Sequence, residues 1–91
     1  MEVWVIKTDW ATNDETGSDV TLYANEATAK MAFEKAVKDE LELYYSNVEL
    51  DDKDCGYTML KEDRFFEIYK DGEYLLNHST ISLDKLTVIT E

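Results

Sequence analysis

The chain has 91 residues and a formal net charge of −12, with 21 acidic and nine basic residues. This length predicts a single domain over residues 1–91, because a smaller unit has too little interior to close its own core. The charge argues against direct binding of nucleic acid or of an anionic membrane, and it favours basic proteins or cations as partners.

The cysteine, glycine and apolar residues indicate where the protein is expected to be located and which binding sites it can form. Cys55 is the only cysteine, so the sequence forms no internal disulfide, and we expect a reducing, cytoplasmic location. No apolar run approaches the roughly 20 residues of a membrane-spanning helix. Gly17, Gly56 and Gly72 are too dispersed to build a glycine-rich phosphate loop, and we expect no bound cofactor.

The N-terminal part of the sequence predicts two strands joined as a hairpin. Residues 2–8 are largely apolar on both faces, which is typical of an interior strand. Residues 10–18 form a polar connection in which Gly17 is expected to adopt the positive φ of a turn. Residues 19–24 then predict the second strand and complete a hairpin with an acidic tip.

Residues 25–45 form the one segment whose periodicity predicts a helix with a single apolar face. Asn25 is the expected N-cap. The apolar positions recur at three- and four-residue steps and should be buried against a sheet; they are Ala29, Ala32, Phe33, Ala36, Val37, Leu41 and Tyr44.

The opposite face of this helix carries charges at spacings that suit ion pairs. We expect Glu26 to pair with Lys30 and Glu34 to pair with Lys38, because acid-before-base pairs four residues apart stabilise an exposed helix.

The C-terminal half predicts an acidic loop over residues 48–56 and then further strands. Strands are expected at residues 57–62, 64–70 and 73–77, and residues 83–90 predict either a further strand or a bent continuation of the last one after an interruption at 77–80. Asp71 and Gly72 suit a tight hairpin turn, because both residues tolerate a positive φ. The predicted fold class is therefore α+β, a two-layer arrangement of one α-helix on a mainly antiparallel sheet in the order ββαβββ.

His78, Ser79 and Asp84 raise the question of a hydrolytic triad. A triad brings a base beside a nucleophile with oxyanion donors opposite, and near neighbours in a strand and turn rarely achieve this. We interpret His78 as a turn residue bonded to the backbone, and we predict no catalytic residues.

Asp51, Asp52 and Asp54 are close enough in sequence to bind a divalent cation such as calcium. The EF-hand pattern does not fit, because its third position is Lys53 and its twelfth, Glu62, has no helix to carry it. We therefore expect no dedicated metal site.

Two acid-rich stretches are the least ordinary feature of the sequence. Residues 9–19 hold four acids and no base, and residues 39–54 hold seven acids against Lys53 alone. Acids near a helix C-terminus oppose the helix dipole at a cost of about 0.3–1 kcal/mol each, so local stability does not explain them. We predict that the second stretch binds a basic partner. The predicted binding residues are Asp39, Glu42, Glu49, Asp51, Asp52 and Asp54.

In size, charge and lack of motifs, the chain resembles the small acidic inhibitor proteins of phages and mobile elements, including anti-CRISPR and anti-restriction proteins. It also resembles, more loosely, the acidic inhibitors that shield bacterial nucleases. The resemblance implies a stoichiometric, non-catalytic inhibitor that mimics nucleic acid and binds a basic protein, such as a nuclease or another nucleic-acid-binding protein.

Two other classes of function stay open. In the first, the chain is a housekeeping or accessory domain whose acidity serves only solubility. In the second, it is a small ligand-binding protein or enzyme, which would need a pocket with convergent polar groups.

Overall fold

The computed structural model describes residues 2–12, 15–46, 55–72 and 77–87. Within these ranges the elements follow the predicted order ββαβββ. They are β1 (Glu2–Ala11), β2 (Thr16–Tyr23), α1 (Glu26–Tyr44), β3 (Tyr57–Lys61), β4 (Phe65–Lys70) and β5 (His78–Thr87). The helix packs on an antiparallel sheet, which confirms the predicted two-layer α+β fold.

The described strands form one sheet in the order β2-β1-β5-β4-β3, and each neighbouring pair is antiparallel. β1 lies between β2 and β5, which confirms its prediction as an interior strand. β5 is central and pairs with β1 and β4. In this register Ile81 lies between Thr8 and Phe66, so the middle of β5 is enclosed on both sides.

The hydrophobic core lies between α1 and the face of the sheet beneath it. Its buried residues are Ile6, Ala29, Phe33, Val37, Phe66, Ile68, Ile81 and Leu83. The helix contributes Ala29, Phe33 and Val37, which are four residues apart and form the predicted stripe. Ala32, Ala36 and Leu41 pack at its margin.

Tyr44 does not belong to the buried face as predicted, because 69% of its surface is exposed. Tyr45 packs against the core in its place. Tyr45 is the C-cap of α1, with φ of −127° and ψ of 14°, so its backbone has left the helical conformation. A side chain at such a position no longer follows the helical periodicity on which the prediction rested.

Asn25 caps the helix as predicted. Its side-chain Oδ1 accepts a hydrogen bond from the backbone N–H of Thr28 over 3.1 Å. This bond satisfies one of the N–H groups that have no partner inside the helix, and it fixes where α1 begins.

The charged side chains in the first half of α1 form ion pairs with the β3–β4 hairpin and not with one another. The ion pairs join Glu26 to Arg64, Lys30 to Asp63, and Glu34 to Lys61. The predicted pairs within the helix are therefore wrong, because the hairpin brings its own charged residues to the same side of α1. The Lys30 ammonium lowers the pKa of the Asp63 carboxyl, chiefly by donating a hydrogen bond to it and then by its charge.

The β1–β2 hairpin is tighter than predicted, and Gly17 lies inside β2 instead of in a turn. Its φ is not positive, so its role is different from the predicted one. Gly17 pairs with Trp10, and a Cβ at Gly17 would lie only 2.1 Å from Cζ2 of the indole. Glycine is therefore required here for space, because the Trp10 ring covers the backbone.

The predicted interruption at residues 77–80 is also wrong, because β5 begins at His78. His78 pairs with Ala11 on one side and with Tyr69 on the other, so it is a strand residue and not a turn residue. Of the two predicted turn residues, Gly72 has a positive φ of 79° and Asp71 does not. The strand predicted at residues 73–77 lies outside the described residues except for Asn77.

Candidate functional site

A cleft of about 420 Å³ opens between the C-terminal end of α1 and the end of the sheet where β1 stops and β5 begins. We call it the aromatic cleft. Its aromatic lining residues are Trp10, Tyr44, Tyr45 and Tyr57, and its carboxylates belong to Glu15 and Glu40. Its volume lies within the range of about 300–1,000 Å³ that is usual for ligand pockets.

The sheet supplies one side of the aromatic cleft. Trp10 stands near the end of β1, opposite Gly17 on β2 and Ser79 on β5. Because Gly17 has no side chain, the indole lies over its backbone. Beyond β1, the N–H of Thr12 donates a hydrogen bond to the carbonyl of Glu15 over 2.7 Å, which brings Glu15 back to the rim of the cleft.

The end of α1 supplies the other side, and a hydrogen bond ties it to the sheet. Ser79 Oγ donates to Glu40 Oε1 over 2.5 Å. Ser79 is only 2% exposed, so the hydroxyl needs this partner to avoid the cost of burial without a hydrogen bond. The bond holds the Glu40 carboxylate in the lining of the cleft.

Tyr45 and Tyr57 form an aromatic corner beside Glu40. Their ring centroids are 5.4 Å apart, and the rings meet edge to face at 78°. Burial, which has the largest effect, together with the charge of Glu40 and the neighbouring Tyr57 raises the pKa of Tyr45 to about 12. Tyr45 therefore presents a neutral phenol to the cleft at physiological pH.

This shift predicts a loss of stability in alkaline solution. In the unfolded chain the Tyr45 hydroxyl ionises near its ordinary pKa of 10.0, but in the folded protein it keeps its proton until about pH 12. The stability that Tyr45 contributes is thus fully present below pH 10 and is lost as the pH rises towards 12. Tyr45→Phe keeps the ring and removes the ionisation, so we expect its stability to fall less over this interval.

Urea unfolding of both proteins at intervals from pH 9 to pH 12 measures this difference, with Tyr44→Phe as the control at the exposed neighbouring position. Equal losses in wild type and Tyr45→Phe would show that ionisation of Tyr45 is not linked to folding.

Among the predicted partner-binding residues, Asp39 and Glu42 lie on the last two turns of α1. They do have local partners: Lys35 Nζ lies 3.0 Å from Asp39 Oδ2, and Lys38 Nζ lies 3.9 Å from Glu42 Oε1. Each of these acids therefore has a partner on the helix itself, which was not predicted from the sequence. The pairs are exposed and run base before acid, which is the weaker order in a helix.

Neither of these two acids lines the aromatic cleft. Glu42 follows Glu40 by two positions, a rotation of about 200° around the helix, so it lies on the outer side. Asp39 and Glu42 are three positions apart and occupy neighbouring outward positions. The other predicted binding residues, Glu49, Asp51, Asp52 and Asp54, lie outside the described residues.

Sequence reasoning did not select the residues that meet in the cleft. Glu40 stood in an acid-rich stretch, but no local signal linked it to Ser79, which is 39 positions away. Trp10 and Tyr57 belong to strands, and no pattern in the sequence distinguishes them from aromatic residues of the core. Gly17 was the one residue whose type could have indicated the cleft, because only glycine leaves room for the Trp10 ring. The sequence pattern instead predicted that Gly17 lies in a turn.

Of the three residues that raise the question of a triad, Ser79 and Asp84 do not converge. Ser79 and Asp84 are five positions apart on β5, and alternation along a strand places them on opposite faces of the sheet. The described hydrogen-bond partner of the Ser79 hydroxyl is Glu40, not a histidine.

Within the ranges that the structure describes, no three side chains of His, Cys, Asp or Glu are grouped to hold a metal ion. In the same part of the chain, no helix combines the length and the apolar character needed to cross a bilayer. Comparison with protein-family models, with curated proteins and with solved structures finds no match.

Proposed function

We propose that this chain is a non-catalytic protein-binding domain that inhibits or regulates a basic protein in the cytoplasm. The observation that supports this proposal is the convergence of the two acid-rich stretches on one cleft. Glu15 comes from the first stretch and Glu40 from the second, and the two face the same aromatic cavity. A basic protein that normally binds nucleic acid, such as a nuclease, has the charge and the surface that this arrangement would fit.

The distribution of positive charge supports the same proposal. The lining of the aromatic cleft includes no lysine or arginine among the described residues. Within the described residues, ion pairs with the chain's own acids engage Lys30, Lys35, Lys38, Lys61, Arg64 and Lys85. A cleft lined by charges of one sign concentrates its field and attracts ligands of the opposite sign.

Burial of Ser79 favours binding over catalysis. A serine beside a carboxylate could serve as a nucleophile beside its base, but a nucleophile must also reach a substrate. Ser79 is almost fully buried and donates its hydroxyl hydrogen to Glu40, so the pair serves better to position the carboxylate. The cleft then offers a fixed negative charge and aromatic surfaces, which suit recognition.

Affinity capture from the native host tests the proposal. Wild-type bait is compared with Asp39→Lys/Glu42→Lys, which reverses the two predicted binding acids on the same end of α1 as Glu40. The control, Glu62→Lys/Asp84→Lys, makes the same change in net charge at exposed positions elsewhere. We expect wild type and the control to capture the same basic protein, and the first variant to capture much less of it. Capture of no basic protein, or equal capture by all three baits, would contradict the proposal.

The charge-reversed variant should stay folded. Asp39→Lys and Glu42→Lys lose exposed ion pairs worth about 0–1 kcal/mol each. They also place cations at the negative end of the helix, which gains about 0.3–1 kcal/mol each. These effects nearly cancel, so thermal melting should resemble that of wild type. A large loss of stability would show that the acids have a structural role.

A further inference from the structure

The aromatic cleft combines two features that a guanidinium group recognises. Aromatic faces attract cations, and a flat guanidinium also stacks on them. A carboxylate accepts two parallel hydrogen bonds from the same group. Trp10, Tyr44, Tyr45 and Tyr57 supply the rings, and Glu40 supplies a carboxylate within the same cavity.

Glu40 is held in one orientation before any ligand arrives. Its Oε1 accepts the hydrogen bond from Ser79, whose own position is fixed because it is buried in the central strand. A carboxylate has about four acceptor positions on its two oxygens, so this bond does not exhaust it. Tyr45 and Tyr57 meet edge to face beside it and present ring surfaces in two directions.

We propose that the aromatic cleft binds one arginine side chain of the basic partner, with the guanidinium stacked on an aromatic ring and hydrogen-bonded to Glu40. This inference rests on the proposed function and names the group that anchors the partner. Arginine suits the cleft better than lysine, because its guanidinium is planar, is weakly hydrated and has five donors. The acidic rim at Glu15 favours a cationic occupant over a neutral one.

An NMR titration with N-acetyl-arginine amide tests the inference without the partner. The sequence has two tryptophans, so two indole N–H signals are expected, and Trp10→Phe identifies the signal in the cleft. We expect a saturable shift of the Trp10 signal with little change at Trp4. N-acetyl-lysine amide should bind more weakly, and N-acetyl-citrulline amide, which keeps the shape without the charge, should produce no saturable shift.

Variants of the cleft sharpen the test. Glu40→Gln should weaken arginine binding roughly tenfold, because a charge-assisted bidentate contact is lost. Tyr44→Ala removes an exposed ring of the lining and should also weaken arginine binding. This variant tests the inference if Glu40→Gln does not fold. Glu62→Gln, which removes one exposed carboxylate outside the cleft, is the matched control and should bind as wild type does.

Absence of a shift, equal shifts with citrulline, or parallel shifts at both tryptophans would overturn the inference. These outcomes leave the proposed function standing if a basic protein is captured and the Asp39→Lys/Glu42→Lys variant loses it. Conversely, a saturable arginine shift without capture of a basic protein would support the cleft's chemistry and contradict the proposed function.

Discussion

Replacement of Phe33 by alanine is expected to lower the free energy of unfolding by about 3–5 kcal/mol, the usual loss for a fully buried aromatic residue. Phe33 is 0% exposed and lies between Ala29 and Val37 on the buried stripe of α1. Because its neighbours on the stripe are smaller, no other helix residue can fill the space that its ring leaves. The cavity would lie between the helix and the middle of the sheet.

Urea unfolding of Phe33→Ala and of Met31→Ala gives the comparison within one helix. Met31 is 74% exposed, so its replacement should change the stability by no more than about 0.5 kcal/mol. Small domains have a free energy of unfolding of only about 5–15 kcal/mol, so Phe33→Ala could be unfolded. In that case the milder Phe33→Leu gives a measurable loss of stability at the same position. A loss below about 1 kcal/mol for Phe33→Ala, the scale of surface changes, would mean that the helix buries another face.

Replacement of Ile81 by alanine should cost about 2–5 kcal/mol, the range for truncation of a buried aliphatic side chain. Ile81 is buried on β5, between Thr8 of β1 and Phe66 of β4. The cavity would lie at the centre of the sheet. The strands paired on both sides of Ile81 prevent the surrounding structure from closing it. Ile81→Ala therefore tests the central position of β5 as well as the core.

Leu86→Ala is the matched control on the same strand. Leu86 is 50% exposed and pairs with Val3 near the other end of β5, so its truncation should cost much less than that of Ile81. Equal losses for the two variants, measured by denaturant unfolding, would contradict the sheet order β2-β1-β5-β4-β3.

The helix and the order of the elements could be predicted because they depend on local patterns. The spacing of Ala29, Phe33 and Val37 specifies one buried face, and Asn25 specifies where the helix begins. The prediction failed in the last turn, where Tyr45 and not Tyr44 packs against the core. Tyr45 is the cap residue that leaves the helix, and periodicity gives no information about such a residue. It is at such ends that tertiary contacts override the local pattern.

The start of β5 could not be predicted for a related reason. The sequence Asn-His-Ser-Thr at residues 77–80 is polar and reads as a turn. In the structure His78 pairs with a neighbour on each side, and that pairing depends on residues far away in the sequence. Strand formation depends more on its tertiary context than helix formation does.

The aromatic cleft was the least predictable feature, because distant segments assemble it. Ser79 and Glu40 meet only when the end of α1 packs over β5, and Trp10 reaches the cleft only because Gly17 leaves room for its ring. Composition indicated that the protein is acidic. It could not show that residues from both acid-rich stretches would line the same cavity.

The rate of association with the captured basic protein, measured at two salt concentrations, tests the proposed function most directly. Exposed charges attract a partner over the Debye length of about 8–10 Å, and salt screens this attraction. Wild type and the Glu62→Lys/Asp84→Lys control should associate fast at low salt and more slowly at high salt. Asp39→Lys/Glu42→Lys should associate more slowly and depend less on salt. If that variant associates at the wild-type rate under both conditions, Asp39 and Glu42 belong to a solvated surface and the proposal is contradicted.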